Sequence, residues 1–289
     1  VHILKGLHMF ETARQRSWMI RLGKLALVLF VLFMLLRWFE NQQTYRPSRT
    51  LHVSGGELGR PWEDLTIAAS DGTQLNAWFF PAKTNSPRAR LVVLVCHGNG
   101  GNISHRLKLY DVLLATGVNV LAFDYRGYGR SEGRPNEAGT YLDAQAAYAW
   151  LRHCGFSGKE IIAYGESLGG GVASELVLRE PCAGLVLQST FTSVPDLAAE
   201  LYPFLPVRLL GGIRYDTRSR LSQIHLPVLV LHSRSDSLIP FHHAERNFEA
   251  ANQPKALCEI NGDHNDAVEE HGRFADALDR FLTSLDQGP

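Results

Sequence analysis

Hydrophobic and polar positions divide the chain into two unlike parts. From Leu25 to Leu36 the sequence is unbroken apolar, LALVLFVLFMLL, with no polar face. From about Glu63 onward, short apolar runs alternate with longer stretches of helical spacing. Runs such as Leu91 to Val95 (LVVLV) are apolar at every position, which predicts strands covered on both faces. Further strands are expected at Val118 to Phe123, Ile161 to Tyr164, Leu185 to Leu187, Pro227 to Leu231 and Ala256 to Ile260. Asp64 to Ala69 and Gln74 to Phe80 flank Ser70-Asp71-Gly72-Thr73 and predict an antiparallel hairpin. Helices are expected over Ser104 to Thr116, Glu137 to Arg152, Val172 to Glu180 and Phe241 to Ala251, with a closing helix to about Leu285. In the second of these, Leu142, Ala146, Ala149 and Trp150 share the face expected to lie on the sheet. The alternation predicts an α/β domain over 63–289, with a mostly parallel central sheet and helices on both faces.

The first part reads differently. The Leu25–Leu36 run spans roughly 18 Å as a helix, short of the roughly 30 Å hydrocarbon core. Extended over 18–39 it reaches roughly 33 Å. Arg21, Lys24 and Arg37 then sit near the ends, where they can snorkel, and Trp18 and Trp38 sit where interfacial aromatics are expected. A cleaved signal peptide needs a small-x-small site, and Arg37-Trp38-Phe39-Glu40-Asn41-Gln42 offers none. An uncleaved transmembrane anchor is therefore the expectation for 18–39. Lys5, Arg14, Arg16, Arg21 and Lys24 precede the run; Arg37, Arg46 and Arg49 follow it. That bias favours a cytoplasmic segment at 1–17 and a catalytic domain on the non-cytoplasmic side. Met9 is a candidate initiator, so the first eight residues carry little weight. Residues 40–62, polar at the start and containing Pro47, are expected to be a linker.

Between the strands ending near Leu187 and starting at Pro227, the rhythm breaks. Residues 189–226 are rich in apolar and aromatic side chains and include Pro195, Pro203 and Pro206. The segment is either a short lid or an ordinary crossover with an irregular lead. In both cases its apolar residues are expected to line part of an acyl pocket.

Charge removes other classes of function. Lys+Arg and Asp+Glu are both 29, and no basic cluster interleaved with aromatics suggests nucleic acid. Cys96, Cys154, Cys182 and Cys258 are widely spaced and form no C-x-x-C pair, so free thiols are expected. No H-E-x-x-H occurs, and no metal site is expected; His242 and His243 read as surface residues. Nor is there a nucleotide fingerprint. The loop Asp124 to Gly133, DYRGYGRSEG, has the wrong glycine spacing for a dinucleotide site, and no phosphate-loop motif occurs.

The candidate chemistry centres on Gly165-Glu166-Ser167-Leu168-Gly169, between an apolar run and a helix-compatible one. A serine hydroxyl is a poor nucleophile unless it is exposed, has a base and faces an anion-stabilising pocket. A sharp strand-to-helix turn supplies the exposure and aims the Leu168 N–H at the reacting oxygen. A second turn, His97-Gly98-Asn99-Gly100-Gly101-Asn102, also follows a strand directly. The Asn99 N–H is assigned as second oxyanion donor, with Gly100 as fallback; His97 is expected to hold the loop rather than act as a base.

Asp236 and His264 each lie just after an expected strand, in the order Ser…Asp…His found in α/β-hydrolases. Asp263 is adjacent to His264, and adjacent residues rarely aim at each other's functional groups. Asp196 and Asp216 lie in the 189–226 segment, and His271 falls in the closing helix. The catalytic assignment is therefore Ser167, His264 and Asp236.

From about Glu63 to Leu285 the chain resembles the α/β-hydrolase superfamily. Its HGNGGN, DYRGYGRSEG and GESLG motifs look most like compact membrane-associated hydrolases, a group that includes depalmitoylase-like enzymes. Some of that group carry acidic or cysteine-rich N-termini where this chain has a hydrophobic helix. The expected activity is hydrolysis of a carboxylic ester or thioester, without a cofactor. The substrate would be a small-molecule, lipid or acyl-protein ester. Peptidase or amidase action on the same machinery, and a non-catalytic membrane-tethered binding role, are the alternatives.

Overall fold

The computed structural model describes residues 2–268 and 272–286, with side chains from residue 16 onward. It divides into two units, residues 1–44 and residues 45–289.

The first unit is one helix, α1 (His2–Thr44). Its stretch Arg16–Thr44 is long and apolar enough to cross a membrane, by length and composition. Side chains from Leu25 to Leu35 are all exposed.

The second unit is an α/β sandwich built on an eight-stranded sheet. Its strands are β2 (Glu63–Ala68), β3 (Gln74–Phe80), β4 (Val92–Cys96), β6 (Asn119–Phe123), β7 (Ile161–Glu166), β8 (Gly184–Gln188), β9 (Val228–Ser233) and β10 (Lys255–Ile260). A separate two-stranded piece pairs β1 (Arg46–Pro47) with β5 (Gly100–Gly101). The large sheet runs β10-β9-β8-β7-β4-β6-β3-β2. Among these strands only β3 runs opposite to the rest, antiparallel to both β2 and β6. The helices are α2 (Leu107–Ala115), α3 (Glu137–His153), α4 (Leu168–Arg179), α5 (Val194–Leu201), α6 (Val207–Leu210), α7 (Thr217–Leu221), α8 (His242–Ala250) and α9 (Arg273–Asp286).

The apolar strands are buried on both faces because their side chains alternate between two cores. Val92, Leu94, Leu121, Ile161, Ala163, Leu187 and Val230 face the layer holding α3, α4, α7 and α8. Val93, Val95, Val120, Ile162, Tyr164, Val186 and Leu231 face α2 and α9. The chain goes from β4 to β6 on one side and then returns to β7 on the other. This switch opens a crevice beyond the carboxyl ends of β4 and β7, the usual place for a ligand in such sheets.

Three segments take a more definite form. Within 40–62, α1 continues to Thr44, and from Tyr45 the chain is counted with the second unit. Tyr45 is buried, with its hydroxyl 3.0 Å from that of Tyr215. Arg46–Pro47 pairs in parallel with Gly100–Gly101 after β4. On α3 Ala146 is buried as expected, together with Thr140, Asp143, Ala144, Ala147, Tyr148 and Leu151, whereas Leu142 and Trp150 are half-buried, Trp150 against Phe79, and Ala149 is exposed. Finally, residues 189–226 form α5, α6 and α7 with irregular connections, as a crossover between β8 and β9.

Leu94 sits fully buried on the central strand β4. Leu94→Ala should cost about 2–5 kcal/mol of stability, read as a lower urea midpoint with an unchanged slope; a midpoint equal to wild type would show that this strand is not part of the cooperative core.

Candidate active site

Ser167 stands alone between the end of β7 and the start of α4, at φ 53° and ψ −115°. A non-glycine residue there is strained and must be held by its surroundings. Its N–H donates to the Gln188 carbonyl at 2.8 Å, and its carbonyl accepts from the Gly170 N–H at 3.0 Å. The flanking glycines are required by close approach. A Cβ on Gly169 would lie 1.9 Å from the Cys96 carbonyl oxygen, and one on Gly165 would lie 2.4 Å from the Gly170 Cα. The turn can thus press onto the end of β4 only without side chains.

The three side chains assigned from sequence meet. Ser167 Oγ lies 3.1 Å from His264 Nε2, and His264 Nδ1 lies 2.8 Å from Asp236 Oδ2. All three are buried, with His264 the most open at 9% exposed. Asp236 Oδ1 accepts the N–H groups of Leu238 (3.0 Å) and Ile239 (2.8 Å). Burial alone would raise the Asp236 carboxyl. The hydrogen bonds from His232 and His264, the charge of His264 and the Ile239 N–H overcome it and hold the group well below the usual carboxylate range. A carboxylate kept ionised in this way can fix the His264 tautomer, with Nδ1 protonated and Nε2 facing the serine.

Asp263 does not compete for His264's ring. It accepts from the His264 N–H (2.7 Å), the Ser237 N–H (2.7 Å) and the Ser237 hydroxyl (2.9 Å). It therefore ties the loop carrying His264 to the loop carrying Asp236. Asp196 accepts from the Thr192 hydroxyl and Asp216 caps α7, both away from the triad. His271 lies outside the described residues.

The N–H groups of Leu168 and Asn99 have no acceptor among the described residues. Asn99 borders the cleft at Ser167, and Leu168 directly follows that serine; the cleft holds about 680 Å³ and is lined by the 98–101 loop, residues 104–109, Val53, Gln188, His264 and Val268. No residue of 189–226 lines it. The apolar surface of this cleft comes from α2, Val53 and Val268.

Several residues that hold the site carried no sequence signal. Arg106 donates from Nε and Nη2 to the two oxygens of Glu166, at 3.1 and 3.2 Å, and from Nη1 to the carbonyls of Gly100 (2.7 Å) and Asn102 (3.2 Å). Burial would raise Glu166, but the Arg106 charge and hydrogen bonds outweigh it and lower it. His232, at the end of β9, places Nε2 3.3 Å from Asp236 Oδ2. The loop after β6 is a buttress. Tyr128 donates to the Asn99 carbonyl (2.8 Å), Tyr125 to the His97 carbonyl (3.0 Å), and Asp124 accepts from the Ile103 N–H (2.9 Å). Its position straight after a strand was a usable hint. His97 is buried with Nδ1 2.7 Å from the Gly98 carbonyl, in the loop-holding place expected of it.

Comparison with known proteins agrees with this fold. The family described as serine aminopeptidase, S33 matches residues 87–214. An uncharacterized protein of Mycobacterium tuberculosis is 40% identical over 250 residues, covering 85% of this chain and 88% of its own. The alpha/beta hydrolase domain-containing protein WAV2 of Arabidopsis thaliana is 32% identical over 245 residues, covering 76% of this chain and 78% of its own. A Pyrococcus furiosus esterase structure superposes with a TM-score of 0.68 at 22% identity, covering 83% of this chain and 98% of that one. The chain belongs to the α/β-hydrolase superfamily.

Removing Arg106 leaves Glu166 as an uncompensated, largely covered charge. Arg106→Met should cost about 2–3 kcal/mol, less than for a fully buried pair because both partners keep some water contact. Adding Glu166→Gln should recover most of it. The Glu166 value is lowered on folding, so its contribution is present above the ordinary glutamate range, about 4.3, and fades as pH falls through the folded value. The gap between wild type and Arg106→Met, measured by chemical unfolding, should narrow below about pH 4. A gap independent of pH would count against the ion pair.

Proposed function

We propose that the protein is a membrane-anchored serine hydrolase that cleaves carboxylic esters or thioesters. The observation that supports it is the hydrogen-bonded line Ser167–His264–Asp236 beside the unpaired N–H groups of Leu168 and Asn99. His264 Nε2 takes the proton as Ser167 Oγ bonds to the substrate carbonyl carbon. The tetrahedral oxyanion is held by the two N–H groups. Asp236 stabilises the imidazolium. The C–O or C–S bond then breaks, His264 gives its proton to the leaving alcohol or thiol, and the acyl group stays on Ser167. Water, deprotonated by His264, repeats the sequence and releases the acid.

The relatives bear on substrate class. A Danio rerio protein named lysophosphatidylserine lipase ABHD12 is 37% identical over 187 residues, covering 57% of this chain and 48% of its own. Together with the esterase structures, it supports small-molecule or lipid esters. The apolar wall of Val53, Leu107, Leu109 and Val268 suits an acyl chain. Membrane attachment is read from the exposed apolar length of α1, and a cytoplasmic N-terminus from the basic residues before it. Peptidase action is a second reading, favoured by the name of the matching family. An aminopeptidase needs a carboxylate for the substrate ammonium. Glu166, which borders the cleft, is committed to Arg106 through both oxygens, which favours the ester reading.

Ser167→Ala should abolish labelling by a fluorophosphonate probe and all ester hydrolysis; persistent labelling would sink the nucleophile assignment. Asp236→Asn should lower turnover on the order of 10⁴-fold, as in other triads, and a near-normal rate would move the acid elsewhere. Across a panel of p-nitrophenyl esters, acyl-thioesters and aminoacyl arylamides, the esters and thioesters should be cleaved and the arylamides spared. The reverse preference would establish the peptidase reading.

A further inference from the structure

Expected from sequence to be surface residues, His242 and His243 part company in the structure. His243 is fully buried, while His242 keeps part of its side chain in water. They open α8, and their rings stack with centroids 4.6 Å apart and 28° between planes. Both Nε2 atoms face Glu200, near the end of α5. His242 Nε2 is 2.9 Å from Glu200 Oε1 and His243 Nε2 is 3.4 Å from Glu200 Oε2. The second contact lacks hydrogen-bond geometry, so His243 Nε2 is a buried polar atom with no hydrogen-bond partner among the described residues. Such an atom is costly and calls for an occupant.

We propose that Glu200, His242 and His243 form a binding site for a divalent transition-metal ion of the zinc type, which clamps α5 to α8. The three donor atoms lie within 4.8 Å of one another. Zinc at about 2.0–2.2 Å from each ligand draws such atoms to within about 3.5 Å, with a solvent molecule in the fourth position. Glu200 and His242 are partly exposed and can turn to close that gap. Two imidazoles and one carboxylate are the donor set that zinc prefers over magnesium or calcium.

The surroundings of His243 supply the outer partner that metal-bound histidines need. Its Nδ1 lies 3.0 Å from the Thr192 hydroxyl and 3.1 Å from the Thr192 backbone nitrogen. Without metal, the Thr192 N–H donates to Nδ1 and the imidazole proton sits on Nε2. With metal on Nε2, the proton moves to Nδ1 and is donated to the Thr192 oxygen. That hydroxyl in turn donates to Asp196 Oδ2 at 3.0 Å. Arg246, 3.9 Å from Glu200, is the competing cation that a metal must displace. None of the three ligands lines the catalytic cleft. The clamp would fix the β8–β9 crossover, where Phe204 and Leu209 stand exposed beyond α5.

The test uses the full chain in detergent after treatment with a chelator. Cobalt(II) should bind one ion per chain with visible absorption of the tetrahedral type, and zinc should displace it. Zinc should also raise the melting temperature. Glu200→Gln and His242→Gln, both at partly exposed positions, should weaken binding at least ~100-fold, and Thr192→Val about tenfold. Ser167→Ala and His264→Ala should bind normally, which separates this site from the catalytic histidine. Failure of the wild type to bind, or binding left unchanged by Glu200→Gln and His242→Gln, would overturn the proposal.

Discussion

The Arg106–Glu166 ion pair joins the two turns on which the site is built. Glu166 immediately precedes Ser167, and Arg106 spends its remaining N–H groups on the carbonyls of Gly100 and Asn102. The guanidinium therefore sets the distance between Ser167 and the backbone that borders it. A planar donor with several N–H groups in fixed directions can do this, and an ammonium cannot. Around this pair the contacts become directional. The carbonyls of the glycine loop accept from Arg106, Tyr125, Tyr128 and the Arg46 N–H, while the Asn99 N–H has no acceptor among the described residues.

The opposite side of the site is held in a comparable way. Asp236 is fixed by two backbone N–H groups and two imidazoles, and Asp263 clips its loop to the one that carries His264. Each group facing Ser167 is thus held by a neighbour that does not itself touch the serine. Preorganisation of this type puts the cost of ordering into folding rather than into each reaction. The strained φ of Ser167 belongs to the same arrangement, since it persists only where the neighbours over-determine it.

The motif residues and the strands were legible in the sequence, because both depend on local pattern. Unbroken apolar runs marked β4, β6, β7 and β9 to within a residue or two. Glycines around Ser167, and the positions of Asp236 and His264 after strands, brought three distant residues to one sheet edge. Other features were hidden. Nothing adjacent to Arg106 says that it meets Glu166, sixty positions on. Pro47 and its polar neighbours look like a linker, because a two-residue strand paired to glycines leaves no apolar signature. His243 reads as polar surface beside His242, since consecutive helical residues point in different directions and only packing decides which one is covered.

Local sequence by itself determined the α/β alternation, the apolar N-terminal helix, the turn at Ser167 and the order of the three residues that join at it. These follow from periodicity, from steric demands on glycine and from strand-end placement, all of which act over a few residues. Tertiary structure alone decided what holds them. It chose the Arg106–Glu166 pair, the Tyr125 and Tyr128 buttress and the walls of the cleft, which come from α2, Val53 and Val268 rather than from the apolar crossover after β8. Those choices depend on which side chains converge when the sheet twists and its layers close, and that convergence is written in no single stretch of the chain.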